Sequence, residues 1–281
     1  MRSHFRISTG SAMACAVTGA TAMMTGICSA QVAADFPTDP AYAAGWSAAQ
    51  APQNGGFGFG AWSFANSTGS PVQAALGTSS VLGTSWTLFN PLGATNGTDL
   101  VDAGRGIVGG LQVGETISTT IANPTDRHFF RGYTILLGSG GQNIGYDKVG
   151  TRLAVGTFEY FSYGRWYANG SANNSTSLFD TQTAAGGMTL AVTLTGQDSY
   201  HLVMTPLADP AMAYVQNGTL KGSGTINWVQ FQLYNTASTG PGDQAADFYI
   251  SSLTIAPEPS TLALLGLGSA ALMFLRRRFG R

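Results

Sequence analysis

Along most of this chain, hydrophobic residues occupy every second position in short runs, and clusters of Gly, Asn, Ser and Thr separate the runs. From Met188 to Leu194 apolar residues alternate with Thr and Ala, a Gly-Gln-Asp turn follows, and the alternation resumes from Tyr200 to Met204. A period of two places alternate side chains on opposite faces of a strand. The pattern therefore predicts a β-hairpin over residues 188–204.

The same pattern predicts further strands and hence the fold class. They cover residues 57–65, 83–89, 113–121, 131–138, 144–149, 152–162, 225–234 and 246–255. About 11 to 13 strands fit one all-β, two-sheet antiparallel sandwich. No fixed repeat or Pro-rich linker divides residues 31–256, so we expect a single sandwich domain there, with Gly104–Gly109 in a glycine-rich turn.

The N-terminus has a different pattern. Residues 1–30 run from basic residues through an apolar stretch to small residues, which is the order of a secretory signal peptide. We predict cleavage after Ala30, with Ala33 or Ala34 as alternatives.

The C-terminus, residues 257–281, has three parts. Pro257, Glu258 and Pro259 form an extended, helix-free strip. An apolar run over 261–275 follows, and Arg276, Arg277 and Arg278 come directly after it. The run is shorter than the roughly 20 residues of a comfortable bilayer span, but the arginines favour a membrane helix whose end stays in the cytoplasm.

These three parts, in this order at the extreme C-terminus, resemble the PEP-CTERM sorting signal of Gram-negative bacteria. The resemblance implies that an exosortase, an integral-membrane cysteine protease, recognises Pro257, Glu258 and Pro259 and cuts near them. It also implies that Arg276–Arg278 form the cytoplasmic stop, with the C-terminal helix in the inner membrane before processing, and that the body continues to the cell surface or extracellular matrix. An ordinary C-terminal anchor is the alternative.

The start of the body resembles a second group of sequences. Tyr42, Gly45-Trp46 and the segment from Asn54 to Trp62 resemble the N-terminal motif of exosortase-sorted β-sandwich proteins. This resemblance implies a jelly-roll or concanavalin-A-like sandwich, an architecture shared by lectins, carbohydrate-binding modules and some glycoside hydrolases. The link to sugars is fold analogy alone.

Charge and cysteine content exclude two classes of function. Residues 31–256 contain 7 basic and 13 acidic residues, a net charge of about −6, so no basic face exists for nucleic acid. Both cysteines, Cys15 and Cys28, precede the body, which therefore has neither a disulfide nor a thiolate metal site.

An aromatic segment over residues 158–167 is the best candidate for binding. Read as one strand, it places Glu159, Tyr163 and Arg165 on one face, where rings stack on sugars and charged groups bond to hydroxyls. Trp228 heads a second such face. That face also contains Gln230, Gln232 and Tyr234, backed by Val229, Phe231 and Leu233. Ordinary strand surfaces are the alternative, because aromatic residues favour strands.

Catalytic and metal-binding patterns are weak. Gly104–Gly109 spells GxGxxG but lacks the βαβ context of a dinucleotide site. The body has only two glutamates, Glu115 and Glu159, and no paired-carboxylate motif for glycoside hydrolysis. Asp99 and Asp102 offer oxygen ligands for Ca²⁺, with an ordinary loop as the alternative. We therefore expect no catalytic residues and no cofactor apart from that calcium.

The sequence thus favours a non-enzymatic, exported surface or matrix protein with a role in biofilm or envelope structure. One alternative is a glycan-binding adhesin that uses Glu159, Tyr163, Arg165 and Trp228 and binds extracellular polysaccharide. The other alternative is a secreted hydrolase.

Overall fold

Ten stretches of the chain are described by the structure, a computed structural model. They are residues 32–50, 53–66, 73–90, 100–122, 132–141, 150–156, 165–170, 176–180, 186–234 and 247–258. These stretches all fall within the unit Gln31–Ser260. Short 3-10 turns occur at Pro40–Tyr42, Ala48–Gln50 and Pro210–Met212.

Strands make up most of the described residues. In chain order they are β1 (Ala33–Asp35), β2 (Phe59–Asn66), β3 (Ala74–Ser79), β4 (Gly83–Leu88), β5 (Leu100–Ile107), β6 (Glu115–Ala122), β7 (Gly132–Gly138), β8 (Thr151–Gly156), β9 (Arg165–Asn169), β10 (Thr176–Asp180), β11 (Met188–Gly196), β12 (Ser199–Pro206), β13 (Tyr214–Thr219), β14 (Trp228–Tyr234) and β15 (Phe248–Pro257).

These strands form two sheets in which every described pair is antiparallel. Sheet A has the order β13-β12-β11-β6-β15-β4-β3, and β1 pairs with β15 on the same edge as β4. Sheet B has the order β10-β9-β8-β7-β14-β5-β2. The predicted all-β, two-sheet antiparallel sandwich is confirmed.

The core lies between the inner faces of the two sheets. On β11 the buried residues are Met188, Leu190, Val192 and Leu194. On β14 they are Val229, Phe231 and Leu233. The predicted hairpin is also confirmed, with Leu194 opposite Tyr200 in the β11–β12 register. An apolar cavity of about 20 Å³ lies among core residues of both sheets, and an apolar void of that kind is a packing defect that stays dry.

One predicted turn is wrong. Residues 100–107 form strand β5, although Gly104–Gly109 was expected to be a turn. The inward residues Val101, Ala103, Arg105 and Ile107 alternate as in any strand. On the other face no side chains mark the alternation, because positions 104 and 106 are glycines. These glycines leave room for the ring of Trp228 from β14.

Two other strand predictions reach beyond the described residues. The segment 144–149 lies outside them. The predicted strand 152–162 corresponds to β8, which is described as far as Gly156, and residues 157–164 again lie outside the described part.

Candidate functional site

A buried ion pair joins the two sheets. Asp35 of β1 in sheet A pairs with Arg105 of β5 in sheet B, and both side chains are fully buried. Arg105 Nε donates to the Gly60 carbonyl oxygen at 2.9 Å, and its Nη2 donates to Asn54 Oδ1 at 2.8 Å. Because isolated buried charges are costly, these hydrogen bonds are needed to keep the guanidinium in the core.

Aromatic side chains enclose this pair. The guanidinium lies over the rings of Phe59 and Trp62, at 5.0 and 4.8 Å from their centroids, which are cation–π distances. The Tyr42 hydroxyl donates to Asp35 Oδ2 and accepts from Trp62 Nε1 at 2.9 Å. Trp46 packs edge-on against Trp62, with 5.1 Å between the ring centroids. We call these residues the aromatic–ionic cluster: Asp35, Tyr42, Trp46, Phe59, Trp62 and Arg105.

The cluster explains the motif at the start of the body. Four of the five aromatic residues of that motif, Tyr42, Trp46, Phe59 and Trp62, have buried side chains, whereas Phe57 is 53% exposed. Burial raises the pKa of Asp35 above its ordinary value, and it outweighs the opposing effects of Arg105 and the Tyr42 hydroxyl. The motif therefore fastens the first strand to the opposite sheet, around a buried ion pair.

The outer face of sheet B contains a polar row of three residues. The register aligns Asp102, Gln232 and Thr134 across β5, β14 and β7. Their side chains alternate with the core residues of the same strands, yet they are only 6%, 5% and 2% exposed. Both Asp102 and Gln232 have interaction partners. The polar row is therefore buried, although it lies on the face of sheet B that is turned away from the core.

Trp228 lies beside this row and is half-buried. Its Nε1 donates to Gln230 Oε1 at 3.3 Å. The indole lies directly over Gly104, where an added Cβ would be only 2.7 Å from Nε1. The glycine of β5 thus provides the space in which the ring packs against the sheet.

The predicted binding residues do not come together around Trp228. Arg165 begins β9, which is separated from β14 by β7 and β8. Successive registers place position 167 level with Gln232, and hence position 165 level with Tyr234. With about 4.8 Å between strands and 3.3 Å per residue, the Cα atoms of Arg165 and Trp228 are roughly 25 Å apart. One small sugar therefore cannot contact both.

The other predicted candidates have varied positions. Glu159, Tyr163 and Asp99 lie outside the described residues. Asp102 belongs to strand β5, so the loop expected around it is wrong at this position. Within the described ranges, no group of three or more His, Cys, Asp or Glu side chains is arranged to hold a metal ion.

Sequence reasoning missed a neutral array of hydroxyl groups on the outer face of sheet A. The Oγ1 atoms of Thr116 and Thr193 are 2.7 Å apart, and those of Thr120 and Thr189 are 3.2 Å apart. We call this array, which spans β11, β6 and β15, the hydroxyl face: Thr116, Ser118, Thr120, Thr189, Thr193, Ser252 and Thr254. Hydroxyl residues at alternate positions in 116–120 and 189–195 were its only signal in the sequence. The sequence does not show which of these residues are neighbours, because that depends on the register between the strands.

The predicted sorting strip begins inside sheet A. Strand β15 continues to Pro257, which is paired with Glu115 of β6, and the Glu258 N–H donates to the Gly114 carbonyl oxygen at 2.7 Å. The body strand thus runs one residue past the expected boundary at Ala256. Pro259, Arg276, Arg277 and Arg278 lie outside the described residues, and so does the predicted membrane helix. In the described part of the chain, no helix has the length and apolar character to cross a bilayer.

Proline fits at this strand end for a simple geometric reason. The Ile255 carbonyl oxygen accepts from the Val32 N–H at 2.8 Å, on the β1 side of the strand. Backbone groups of successive residues point to opposite edges of a strand. The N–H of Glu258 therefore points toward β6, and the backbone nitrogen of Pro257 points away from β6. The missing N–H of proline therefore removes no bond to β6.

Comparison with known families identifies the tail. Residues 256–278 match the PEP-CTERM protein-sorting motif, so the predicted sorting signal is confirmed. The chain is accordingly an exported protein that is processed by an exosortase and sorted to the cell surface. Among curated protein sequences, none matches this chain.

The body is structurally similar to several solved lectins and to one lyase. Lectin II from Ulex europaeus is 10% identical, with a TM-score of 0.42, and the match covers 69% of this chain and 92% of the lectin. The Ca²⁺-bound VIP36 exoplasmic/lumenal domain is 12% identical, with a TM-score of 0.41 and coverage of 70% and 83%. An alginate lyase from Pseudomonas aeruginosa is 11% identical, with a TM-score of 0.40 and coverage of 62% and 82%. Similarities this distant transfer neither a ligand nor an activity to this chain.

Proposed function

We propose that this protein is a non-enzymatic structural component of the cell surface or extracellular matrix of a Gram-negative bacterium. A signal peptide over residues 1–30 directs export, and a helix over 261–275 holds the chain in the inner membrane until the exosortase acts. The sorting match over residues 256–278 supports delivery to the surface. The hydroxyl face is the observation that supports a structural role there.

The hydroxyl face has the chemistry of a surface that contacts neutral polysaccharide. Hydroxyl groups both donate and accept hydrogen bonds, as sugar hydroxyls do, and none of the residues in the face is charged. On a pleated sheet such groups repeat about every 4.8 Å across strands and about every 6.7 Å along them. Each bond contributes only about 0.5–1.5 kcal/mol. Retention in a matrix therefore depends on many such contacts and many copies of the protein.

Removal of the hydroxyls tests this role. Four Thr→Val changes at positions 116, 120, 189 and 193 keep the shape of the face and remove its hydrogen bonding. We expect the variant to reach the surface but to be released from matrix polysaccharide by milder washing. Thr84→Val with Thr225→Val, at exposed positions away from the face, is the control. Equal retention of all three proteins would contradict the proposal.

Cell fractionation tests the delivery step. Deletion of residues 257–281 should prevent the body from arriving where the full chain does. A second variant replaces Pro257, Glu258 and Pro259 with alanine but keeps the apolar run and the arginines. We expect this variant to stay in the inner membrane uncut, which separates anchoring from processing. An unchanged destination for both variants would refute exosortase-dependent delivery.

A glycan-binding adhesin is the second candidate. The partly exposed Trp228 ring, which lies over Gly104 on the outer face of sheet B, favours it, because such a ring offers a stacking surface for a sugar. Glu159, Tyr163 and Arg165 stay predicted binding residues, but Arg165 lies too far from Trp228 to share one small sugar with it. The weaker calcium site at Asp99 and Asp102 also stays a prediction. A glycan array with the whole chain tests the idea, with Trp228→Ala as the matched variant. The adhesin is excluded if no sugar binds at millimolar concentration.

The secreted hydrolase has less support. Glycoside hydrolysis needs two carboxyl groups about 5–10 Å apart across a cleft. Of the side chains that the structure describes, Asp102 supplies the one carboxylate on the outer face of sheet B. Likewise, assignment of the sandwich to the jelly-roll or the concanavalin-A-like group stays a prediction.

A further inference from the structure

We propose that the folded body protects the N-terminal half of the sorting motif, so that the exosortase cuts on the C-terminal side of Glu258. The mature body then keeps Pro257 and Glu258. This inference rests on exosortase processing of the tail, and it specifies which bonds the enzyme can reach.

The motif is continuous with the sheet. Its register with β6 pairs Ile255 with Ile117, Ala256 with Thr116, and Pro257 with Glu115, and the Glu258 N–H bond to Gly114 follows at 2.7 Å. Pro257 is therefore the last residue of β15, and the backbone N–H of Glu258 continues the hydrogen bonding on the β6 side. These two residues are not part of a free peptide linker.

Protection increases sharply toward the N-terminus of the motif. Ile255 is 1% exposed and is held on both edges, by Ile117 of β6 on one side and by Ala33 of β1 on the other. Cutting upstream of Ile255 would require β15 to leave two neighbours and expose core surface. Opening of that kind belongs to the high-energy end of local unfolding.

The segment that receives Glu258 is itself well held. The Gly114 N–H donates to the Leu194 carbonyl oxygen at 2.7 Å. In the same turn, the Glu115 N–H donates to the Gln112 carbonyl oxygen at 3.0 Å, and the Gln112 N–H donates to Glu115 Oε2 at 2.9 Å. Gly114 has φ +84°, a left-handed conformation that glycine adopts readily. The acceptor for Glu258 is thus positioned by three further hydrogen bonds.

A protease needs the same backbone groups that the sheet already uses. Extended peptides are commonly bound by strand addition, through main-chain N–H and C=O groups. Residues up to Glu258 must leave β6 before an enzyme can bind them in that way. Glu258 makes the last described hydrogen bond of this ladder, so a cut on its C-terminal side leaves the described ladder intact.

The chemical step is a hydrolysis with water as the co-reactant. The C–N bond on the C-terminal side of Glu258, or of a later residue, breaks. Water supplies hydroxyl to the carbonyl carbon and a proton to the leaving nitrogen. The body gains a carboxyl group, the tail gains a free amine, and no oxidant or reductant takes part.

Mass spectrometry of the body recovered from the cell surface tests the inference directly. We expect its C-terminal peptide to contain Pro257 and Glu258. A mature end at Pro257 or further upstream would overturn the proposal. A chain that is never cut would instead refute exosortase processing, and the protection is then decided on the purified protein, as follows.

Limited proteolysis with proteinase K on the full chain in mild detergent measures the protection without the sorting enzyme. Insertion of Gly-Ser-Gly-Ser after Ala256 moves Pro257 and Glu258 off the sheet, and the same insertion after Glu258 is the matched control. We expect the first variant to lose these two residues at least about tenfold faster than the wild type and the control. Equal rates of loss in all three proteins would show that the sheet gives no protection.

Discussion

The buried pair of Asp35 and Arg105 offers a quantitative test of the aromatic–ionic cluster. The change Asp35→Ala leaves the guanidinium buried with no carboxylate, bonded mainly to the Gly60 carbonyl and the Asn54 side chain. Removing one partner of a buried ion pair costs about 3–5 kcal/mol. Domains of this kind are stable by only about 5–15 kcal/mol, so we expect a large fall in stability or failure to fold.

A double variant separates the charge effect from simple loss of packing. Asp35→Leu combined with Arg105→Met removes both charges and keeps apolar contact with Phe59 and Trp62. The double variant loses the cation–π contacts, worth about 0.5–2 kcal/mol, but leaves no buried charge. We therefore expect it to be more stable than Asp35→Leu alone, with a coupling energy of at least about 1 kcal/mol between the two sites.

Urea unfolding followed by tryptophan fluorescence is the appropriate assay, because Trp46 and Trp62 belong to the cluster. The control is Asp209→Ala, which removes an exposed carboxylate that accepts a hydrogen bond from the Ala211 N–H at 3.2 Å. That change should cost about 1 kcal/mol. The reasoning is refuted if Asp35→Ala costs no more than Asp209→Ala. It is equally refuted if the two single-site costs simply add in the double variant.

Two further predictions concern titration and packing. Burial raises the pKa of Tyr200 above 10.0, so the free energy of unfolding should fall as the pH rises past 10. In Tyr200→Phe the free energy of unfolding, measured at the same alkaline pH values, should fall less. Gly104→Ala places a Cβ at 2.7 Å from Trp228 Nε1 and should lower the free energy of unfolding by about 1–3 kcal/mol. In the control Gly60→Ala, the nearest atom to the added Cβ is 3.7 Å away, so the thermal midpoint should change little. Equal shifts of the thermal midpoint in both variants would contradict the packing argument.

Strands with a clear local alternation were predictable, and those without it were not. The β11–β12 hairpin was predictable because its buried residues alternate with polar ones along each strand. Strand β5 was mistaken for a turn because Gly104 and Gly106 break the pattern on one face. The side chain that fills that space, Trp228, comes from a different strand, so nothing local to β5 indicated it.

The candidate sites divide in the same way. The sorting signal could be recognised because it is linear: its three parts follow one another along the chain. Trp228 and Arg165 looked like members of related faces, but sheet order separates them by three strand spacings. The hydroxyl face was not predicted, because Thr116 and Thr193 become neighbours only through the β6–β11 register.

The sequence by itself thus determined the strand-rich body and the exosortase tail, since both depend on short-range patterns. Only the tertiary structure decided that Asp35 pairs with Arg105 between sheets, that threonines from separate strands form one face, and that β15 includes Pro257 and holds the Glu258 N–H through Gly114. The physical reason is that ladder register and sheet-to-sheet packing connect residues far apart in the chain. Periodicity shows which side of a strand a residue occupies, and the partner that it meets there depends on how the whole chain folds.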